Sequence, residues 1–297
     1  MKAPRYPRDA RNPLNIATKH PAHQERQGDQ DALNSREKGL RISGLPAVSA
    51  LFTHAPDRAL RLFYDDRMVN EVGHFCSQMA EMRRPYRKLD PAELTKIAGT
   101  VLHGGIVAVA RPKAVLPFNA CQTRQWAVDR EPLVILDGIG NTHNLGAIAR
   151  TLAFFGFRRL LISDHPEQCG LSDSAYRVAE GGLEALTVYR VKALPEALRL
   201  IKPHYRVVGT ALTRQGLMLD AVLEERRPVA LVLGNEEAGL PRATLAACDA
   251  LLTLPGSGNV QSLNVSATAA IIAYALRPPQ TVSKTRRPAQ KRKDGDR

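Results

Sequence analysis

Three short segments carry side chains able to grip a polar or anionic ligand: NTHNLGAIAR at 141–150, LGNEEAGLP at 233–241 and LPGSGNVQSLNVS at 254–266. In the first, Asn144 offers an amide, and Arg150, six positions on, places a guanidinium in an otherwise uncharged stretch. Its planar fork suits a phosphate or carboxylate, so it either meets an anionic ligand or pairs with an internal acid. In the second, Gly234 permits close backbone approach, and Asn235, Glu236 and Glu237 crowd polar groups behind it. In the third, Gly256 and Gly258 free the main chain, while Ser262, Asn264 and Ser266 bring hydroxyls and an amide to a helix start, where unpaired N–H groups are also on offer. Each segment has a plainer reading, as a helix cap or a solvated loop. A dinucleotide-binding glycine fingerprint fails at 138–143, because His143 stands where its third glycine belongs.

These segments need scaffolding, and the chain supplies it from Pro132 onward. LVIL (133–136), RLLIS (159–163), LTVYRV (186–191), RVVGTAL (206–212), VALVLG (229–234) and ALLTL (250–254) are short apolar runs. Helical patterns over 144–155, 174–180, 193–201 and 241–247 separate most of them. Such alternation predicts an α/β fold with a parallel sheet covered by helices on both faces. Ligands then sit beyond the carboxyl ends of the strands, where all three segments fall. After the third, Ala267, Ala270, Ile271, Tyr274 and Ala275 recur at helical spacing, which predicts that this side is buried.

Residues 41–117 read as a first, small α/β unit. It opens with a short turn and continues through a helix over 46–53, a strand over 59–64, helices within 69–82 and over 91–98, and a buried strand at 106–110. Residues 111–130 show no period, and 118–131 read as a linker between this unit and a domain over 132–277. Residues 1–40 are rich in Pro, Asn, Gln and Arg and are expected to be a flexible basic extension; residues 278–297 are expected to be a disordered basic tail.

The 297 residues carry a formal charge of +13, and 44% of them are hydrophobic. The surplus of cations favours a polyanionic partner, because neutralising phosphates releases counterions. From Arg277 to the end, eight Lys or Arg face only Asp294 and Asp296. Cys76, Cys121, Cys169 and Cys248 are far apart and show no metal-ligand spacing, which predicts neither a metal site nor a disulfide framework and fits a reducing cytoplasm. No apolar run reaches the length of a membrane span.

Taken together and in this order, Asn144 and Arg150, then Gly234, Asn235 and Glu236, then LPGSGNVQSLNVSATAA resemble the three motifs of the SpoU-type (TrmH-like) RNA 2′-O-ribose methyltransferases of the SPOUT superfamily. The likeness covers roughly 132–277, and residues 41–113 resemble the small RNA-binding domain that often precedes that methylase domain. The resemblance implies S-adenosyl-L-methionine as methyl donor, a ribose 2′-hydroxyl of structured RNA (tRNA or rRNA) as acceptor, a C-terminal trefoil knot and a homodimer. It implies catalytic roles for Arg150, Asn144, Glu236, Ser262 and Asn264. Gly234, Asn235, Leu254, Gly258, Leu263 and Ser266 would then hold the cofactor, largely through main-chain groups. The competing expectation is a knotted RNA-binding module that has lost catalysis. One departure stands out: relatives usually carry Met or a similar residue where this chain has Gly256.

Overall fold

The structure, a computed structural model, describes residues 39–213, 216–224 and 226–278. All but the inner edges of the two expected basic extensions lie outside the described residues.

The chain first builds a four-stranded sheet. β1 (Leu40–Ser43), α1 (Leu45–His54), β2 (Ala59–Tyr64), α2 (Gly73–Glu81), β3 (Tyr86–Lys88), α3 (Pro91–Ala98) and β4 (Ile106–Ala110) follow one another, with sheet order β1-β4-β2-β3. β4 is antiparallel to both β1 and β2, whereas β3 joins β2 in parallel. Local chemistry sets α3 clearly. Asp90 accepts the Ala92 and Glu93 amides, Pro91 occupies the first turn, and Gly99 ends the helix at φ 68°. Residues 40–43, expected as a turn, form β1 instead, because a partner at 107–110 supplies the pairing.

A second sheet of seven strands follows. It contains β5 (Leu116–Pro117), β6 (Leu133–Asp137), β7 (Arg159–Ser163), β8 (Thr187–Val191), β9 (Arg206–Thr210), β10 (Val229–Gly234) and β11 (Ala250–Leu252). Their order is β11-β9-β10-β6-β7-β8-β5, with every neighbouring pair parallel. The helices are α4 (Thr123–Val128), α5 (Thr142–Phe154), α6 (Asp173–Ala179), α7 (Gly182–Ala185), α8 (Leu194–Ile201), α9 (Leu219–Leu223), α10 (Arg242–Ala247) and α11 (Val265–Leu276). Alternation along the strands divides the core. Val134, Leu136, Leu160 and Ile162 face α5, α6, α7 and α11; Leu133, Ile135 and Leu161 face α4 and α8 on the opposite side. The predicted parallel sheet with helices on both faces is therefore present.

Two expectations need correction. Residues 111–130 are not irregular throughout: β5 adds an edge strand beside β8, and α4 buries Trp126, over whose ring the Arg159 guanidinium lies at 4.3 Å. The buried face of α11 also differs from the expected one. Val265, Ala269, Ile272 and Ala273 are the buried residues, while Ala267 is exposed, Ile271 keeps 44% of its surface and Tyr274 57%. A helix apolar nearly all round has no period that selects its buried side; packing on α5 and β10 selects it.

The small sheet shares a core with the large one, through Ala47, Val48 and Leu51 of α1. Buried charges add to that joint. The Glu184 carboxylate, with no side-chain exposure, takes Arg58 Nη1 on both oxygens at 2.7 and 2.6 Å. Lys113 Nζ donates to the carbonyls of Leu183 and Glu184 at 2.8 and 2.9 Å. Burial holds the Lys113 ammonium below its usual range, against the pull of Glu184. Next to the joint, α5, α6 and α7 touch backbone to backbone. A Cβ on Gly146 would lie 2.6 Å from the Ala175 carbonyl oxygen, and one on Gly182 would lie 2.7 Å from that of Ala149.

Candidate active site

From β6 the chain moves outward through β7 and β8, then returns to lay β9 and β10 on the other side of β6. The reversal between β6 and β10 is the position at which open parallel sheets collect ligands. Loop one (137–141) leaves β6 there, and loop two (235–239) leaves β10.

Loop one is held from several sides. Asp137 Oδ2 accepts a buried hydrogen bond of 2.7 Å from Thr244 Oγ1 of α10. Gly138 takes φ 81°, a left-handed backbone that favours glycine, and the side chain of Ile139 is fully buried. Asn141 caps α5 by accepting the His143 amide at 2.8 Å. This cap starts the helix at Thr142 and places Asn144 in its first turn, where the side chain is buried.

Loop two closes on itself. The main chains of Asn235 and Gly239 exchange hydrogen bonds of 3.1 and 3.0 Å. Gly234 lies so close beneath them that a Cβ would stand 2.6 Å from the Gly239 carbonyl carbon. The Asn235 side chain works in both directions: Oδ1 accepts the Glu237 and Ala238 amides at 2.9 and 3.0 Å, and Nδ2 donates to the Gly138 carbonyl at 3.0 Å. Asn235 thus ties loop two to loop one.

Loop three (254–264) is different. Its residues from Pro255 to Asn264 are exposed, and within it the Asn259 amide donates to Ser257 Oγ at 3.3 Å. Gly258 takes φ 86°, whereas Gly256 keeps an ordinary φ with open space where a side chain would project. The ends are fixed. Thr253 Oγ1 donates to the carbonyls of Ala211 and Thr213 at 2.8 and 3.1 Å, and Leu254 is half-buried against the core. At the other end Asn264 caps α11, its Oδ1 accepting from the Ser266 amide at 2.8 Å and from Ser266 Oγ at 2.6 Å.

The three loops meet in one chain of side-chain hydrogen bonds. Asn144 Nδ2 donates to Glu236 Oε1, and Asn144 Oδ1 accepts from Asn264 Nδ2 at 3.1 Å. Glu236, Asn144, Asn264 and Ser266 are therefore linked in series, one or more from each segment singled out in the sequence. Burial of Asn144 makes the series cooperative, since an unpaired amide there would carry the full cost of its lost water. Glu236 commits Oε1 to this bond, and its Oε2 has no hydrogen-bond partner among the described residues.

The structure does not bring Arg150 or Ser262 into that series. Arg150 points outward with 57% of its side chain exposed and pairs with Glu180 at 2.8 Å. Ser262 lies on exposed loop three and leaves the helix cap to Asn264; Leu263 is also half-exposed there. Sequence reasoning missed several supports, among them the Thr244–Asp137 bond and Gln168. The Gln168 side chain pairs with the Ile139 main chain, Oε1 accepting its N–H at 3.1 Å and Nε2 donating to its carbonyl at 3.3 Å. Cys169, beside it, donates its amide to the same carbonyl at 2.9 Å, and burial pushes its thiol up to about 11. Among the described residues no group of three or more His, Cys, Asp or Glu is placed to hold a metal ion, and no helix is long and apolar enough to cross a membrane.

A parallel α/β sheet whose glycine-bearing loops meet at its reversal point defines the class: an open α/β fold with a candidate ligand site shared among three loops. Comparison with known proteins supplies the family. Residues 131–274 match the SpoU rRNA Methylase family, and residues 41–116 match the family described as RNA 2′-O ribose methyltransferase substrate binding. The chain is 33% identical over 241 residues to a 23S rRNA (guanosine-2′-O-)-methyltransferase of Acinetobacter baylyi, covering 78% of this chain and 94% of the relative. A crystal structure of an rRNA methyltransferase from Sinorhizobium meliloti superposes with TM-score 0.66 at 20% identity, over 87% of this chain and 95% of that one. Its AdoMet-bound form gives 0.65 at the same 20%, over 84% and 90%. The chain belongs to the SpoU family of RNA 2′-O-ribose methyltransferases.

Proposed function

We infer that this protein transfers a methyl group from S-adenosylmethionine to a ribose 2′-hydroxyl of RNA, with a guanosine of rRNA as the acceptor. The observation that carries this reading is the Glu236–Asn144–Asn264–Ser266 series, which joins all three motif loops at the sheet's reversal point. The rRNA guanosine methyltransferases among its relatives support the choice of RNA and nucleotide, and the charge of +13 suits a polyanion.

The site fits the methyl donor. Gly234 leaves no room for a side chain between β10 and loop two, and loop three exposes its main chain between anchored ends. Gly234, Asn235, Leu254, Gly258, Leu263 and Ser266 would hold the donor there. When bound, S-adenosylmethionine supplies a sulfonium methyl carbon open to in-line displacement by an oxygen. The chain's own residues do the rest. Asn144, itself held by Asn264, fixes the Glu236 carboxylate, whose second oxygen accepts from the ribose hydroxyl and orients its oxygen. Arg150 acts by charge, on the phosphate beside the acceptor ribose. Its exposed pairing with Glu180 is worth about 0–1 kcal/mol, so exchanging it for an RNA phosphate costs little. Ser262, on exposed loop three, contributes a hydroxyl to the ribose.

Two further elements belong to this reading. A trefoil knot is supported by the path of the chain, which crosses from β10 to β11 outside β9, bridges Leu217 to Leu252, and returns in α11 onto α5 and β10. A homodimer is supported by an open apolar patch on α5 and α11. Phe154 keeps 78% of its surface and Tyr274 57%, and Phe155 bridges the two rings at 5.2 and 5.8 Å. The four free cysteines suit a reducing cytoplasm.

The test is incubation with labelled S-adenosylmethionine and total RNA, followed by mapping of 2′-O-methylation. Label in rRNA that falls sharply with Asn144→Ala and Arg150→Ala is the expected result. RNA binding without cofactor binding by calorimetry would overturn it in favour of a knotted RNA-binding module.

A further inference from the structure

The loop after β7, residues 164–172, belongs to none of the three motif segments, yet it forms a wall of the same cleft. Sheet order decides which wall. β10, β9 and β11, with loops two and three, lie on one side of β6, whereas β7 lies on the other. With the donor held by loops two and three, the β7 loop faces the acceptor nucleotide.

This loop is built firmly. Gln168 and Cys169 lock it to Ile139 by the three hydrogen bonds described above, and the Glu167 carbonyl lies against Gly140, 3.4 Å from where a Cβ would stand. The locked loop presents two side chains. The His165 ring lies against Gly138, where a Cβ would fall 3.1 Å from Nδ1 and 3.4 Å from both Cε1 and Cγ, so any side chain there would meet the ring. The ring is half-exposed, and its Nδ1 accepts the Glu167 amide at 3.2 Å, which fixes its orientation. Glu167 is exposed. One carboxylate oxygen stands 3.4 Å from Asn235 Nδ2, next in sequence to Glu236, and the other has no hydrogen-bond partner among the described residues.

An anchored aromatic ring beside an oriented carboxylate has the parts of a base-recognition site. RNA bases are read by stacking on aromatic faces and by hydrogen bonds along their edges. A carboxylate is acceptor only, so it matches an edge with two neighbouring donors. Guanine offers that edge through N1–H and the 2-amino group; adenine presents an acceptor at N1, and uracil a single donor between two acceptors.

We propose that His165 and Glu167 form the pocket for the acceptor base, His165 stacking on it and Glu167 selecting guanine by accepting from its N1–H and 2-amino group. This rests on the reading of the protein as an RNA 2′-O-methyltransferase.

The experiment uses the full chain, labelled S-adenosylmethionine and rRNA, with digestion to nucleosides to identify the methylated base. Wild type labels guanosine only. Glu167→Gln, whose amide offers one donor and one acceptor, keeps cofactor affinity, loses about tenfold or more in kcat/KM on RNA and gains label in adenosine. His165→Ala loses about tenfold with base choice retained, as expected for stacking. Guanosine-only labelling at wild-type kcat/KM in both variants would overturn the proposal. Wild-type label in another nucleoside would overturn it too while leaving the methyltransferase reading intact, and no label in any RNA would bring down both.

Discussion

The Glu236–Asn144–Asn264 series and the Arg58–Glu184–Lys113 cluster each tie a buried polar side chain to its partners, but they are assembled from different materials. At the joint between the two sheets, full charges meet: a carboxylate without exposure is gripped by a guanidinium, with an ammonium close by. At the cleft, one neutral amide holds the carboxylate and is itself held by a second, and loop three beside them stays exposed. Buried charges tolerate no vacancy, since removing one partner strands the other in a poor dielectric. Neutral amides lose less and leave hydrogen-bonding capacity for a ligand. The joint is thus built for rigidity, and the cleft for occupancy.

The comparison can be broken by substitution. Glu184→Ala, which strands Arg58 and Lys113, is expected to cost about 3–5 kcal/mol, read as a large drop in Tm. Gly234→Ala drives a Cβ into the Gly239 main chain; it should cost about 1–3 kcal/mol and abolish cofactor binding measured by calorimetry. Asn144→Ala should cost only about 1–3 kcal/mol yet remove most methylation of RNA, so that kcat falls far more than Tm. If Glu184→Ala and Asn144→Ala lower Tm equally, the distinction between joint and cleft fails.

Alkaline pH sharpens the contrast from another direction. Burial pushes the thiols of Cys169 and Cys248 up from 9.0 to about 11. The unfolded chain releases these protons first, so stability is full below pH 9 and falls as pH rises through the folded values. A Tm-versus-pH series should therefore decline above pH 9, and Cys248→Ala should shallow the decline. Ser262→Ala, on the open loop, should change stability by less than about 0.5 kcal/mol, with any effect confined to kcat.

What the sequence revealed follows from how locally each feature is determined. β6, β7 and β10 are apolar on both faces, so their runs stand out whatever their neighbours. β3 is exposed at all three residues and β5 spans only two; both exist because a distant strand pairs with them. The side of α11 that meets the core was illegible for the opposite reason, an excess of apolar residues. At the cleft, Asn144, Glu236 and Asn264 were legible as types in ordered motifs. That these three touch, while Arg150 turns away to Glu180, depends on which strands are neighbours and on the helix face each residue occupies. Gln168 carried no signal, because a glutamine that pairs with a main-chain amide looks in sequence like any loop glutamine.

The glycine contacts of α5 have a consequence in time. Gly146 and Gly182 bring the backbones of α5, α6 and α7 within van der Waals reach, so no side chain can swing aside to let the helix open alone. Amide hydrogens in the middle of α5 should then exchange with solvent only when the whole domain unfolds, while those of loop three exchange within the dead time of mixing. The helix that carries Asn144 would be among the slowest parts of the molecule, and the glycine loop facing it among the fastest.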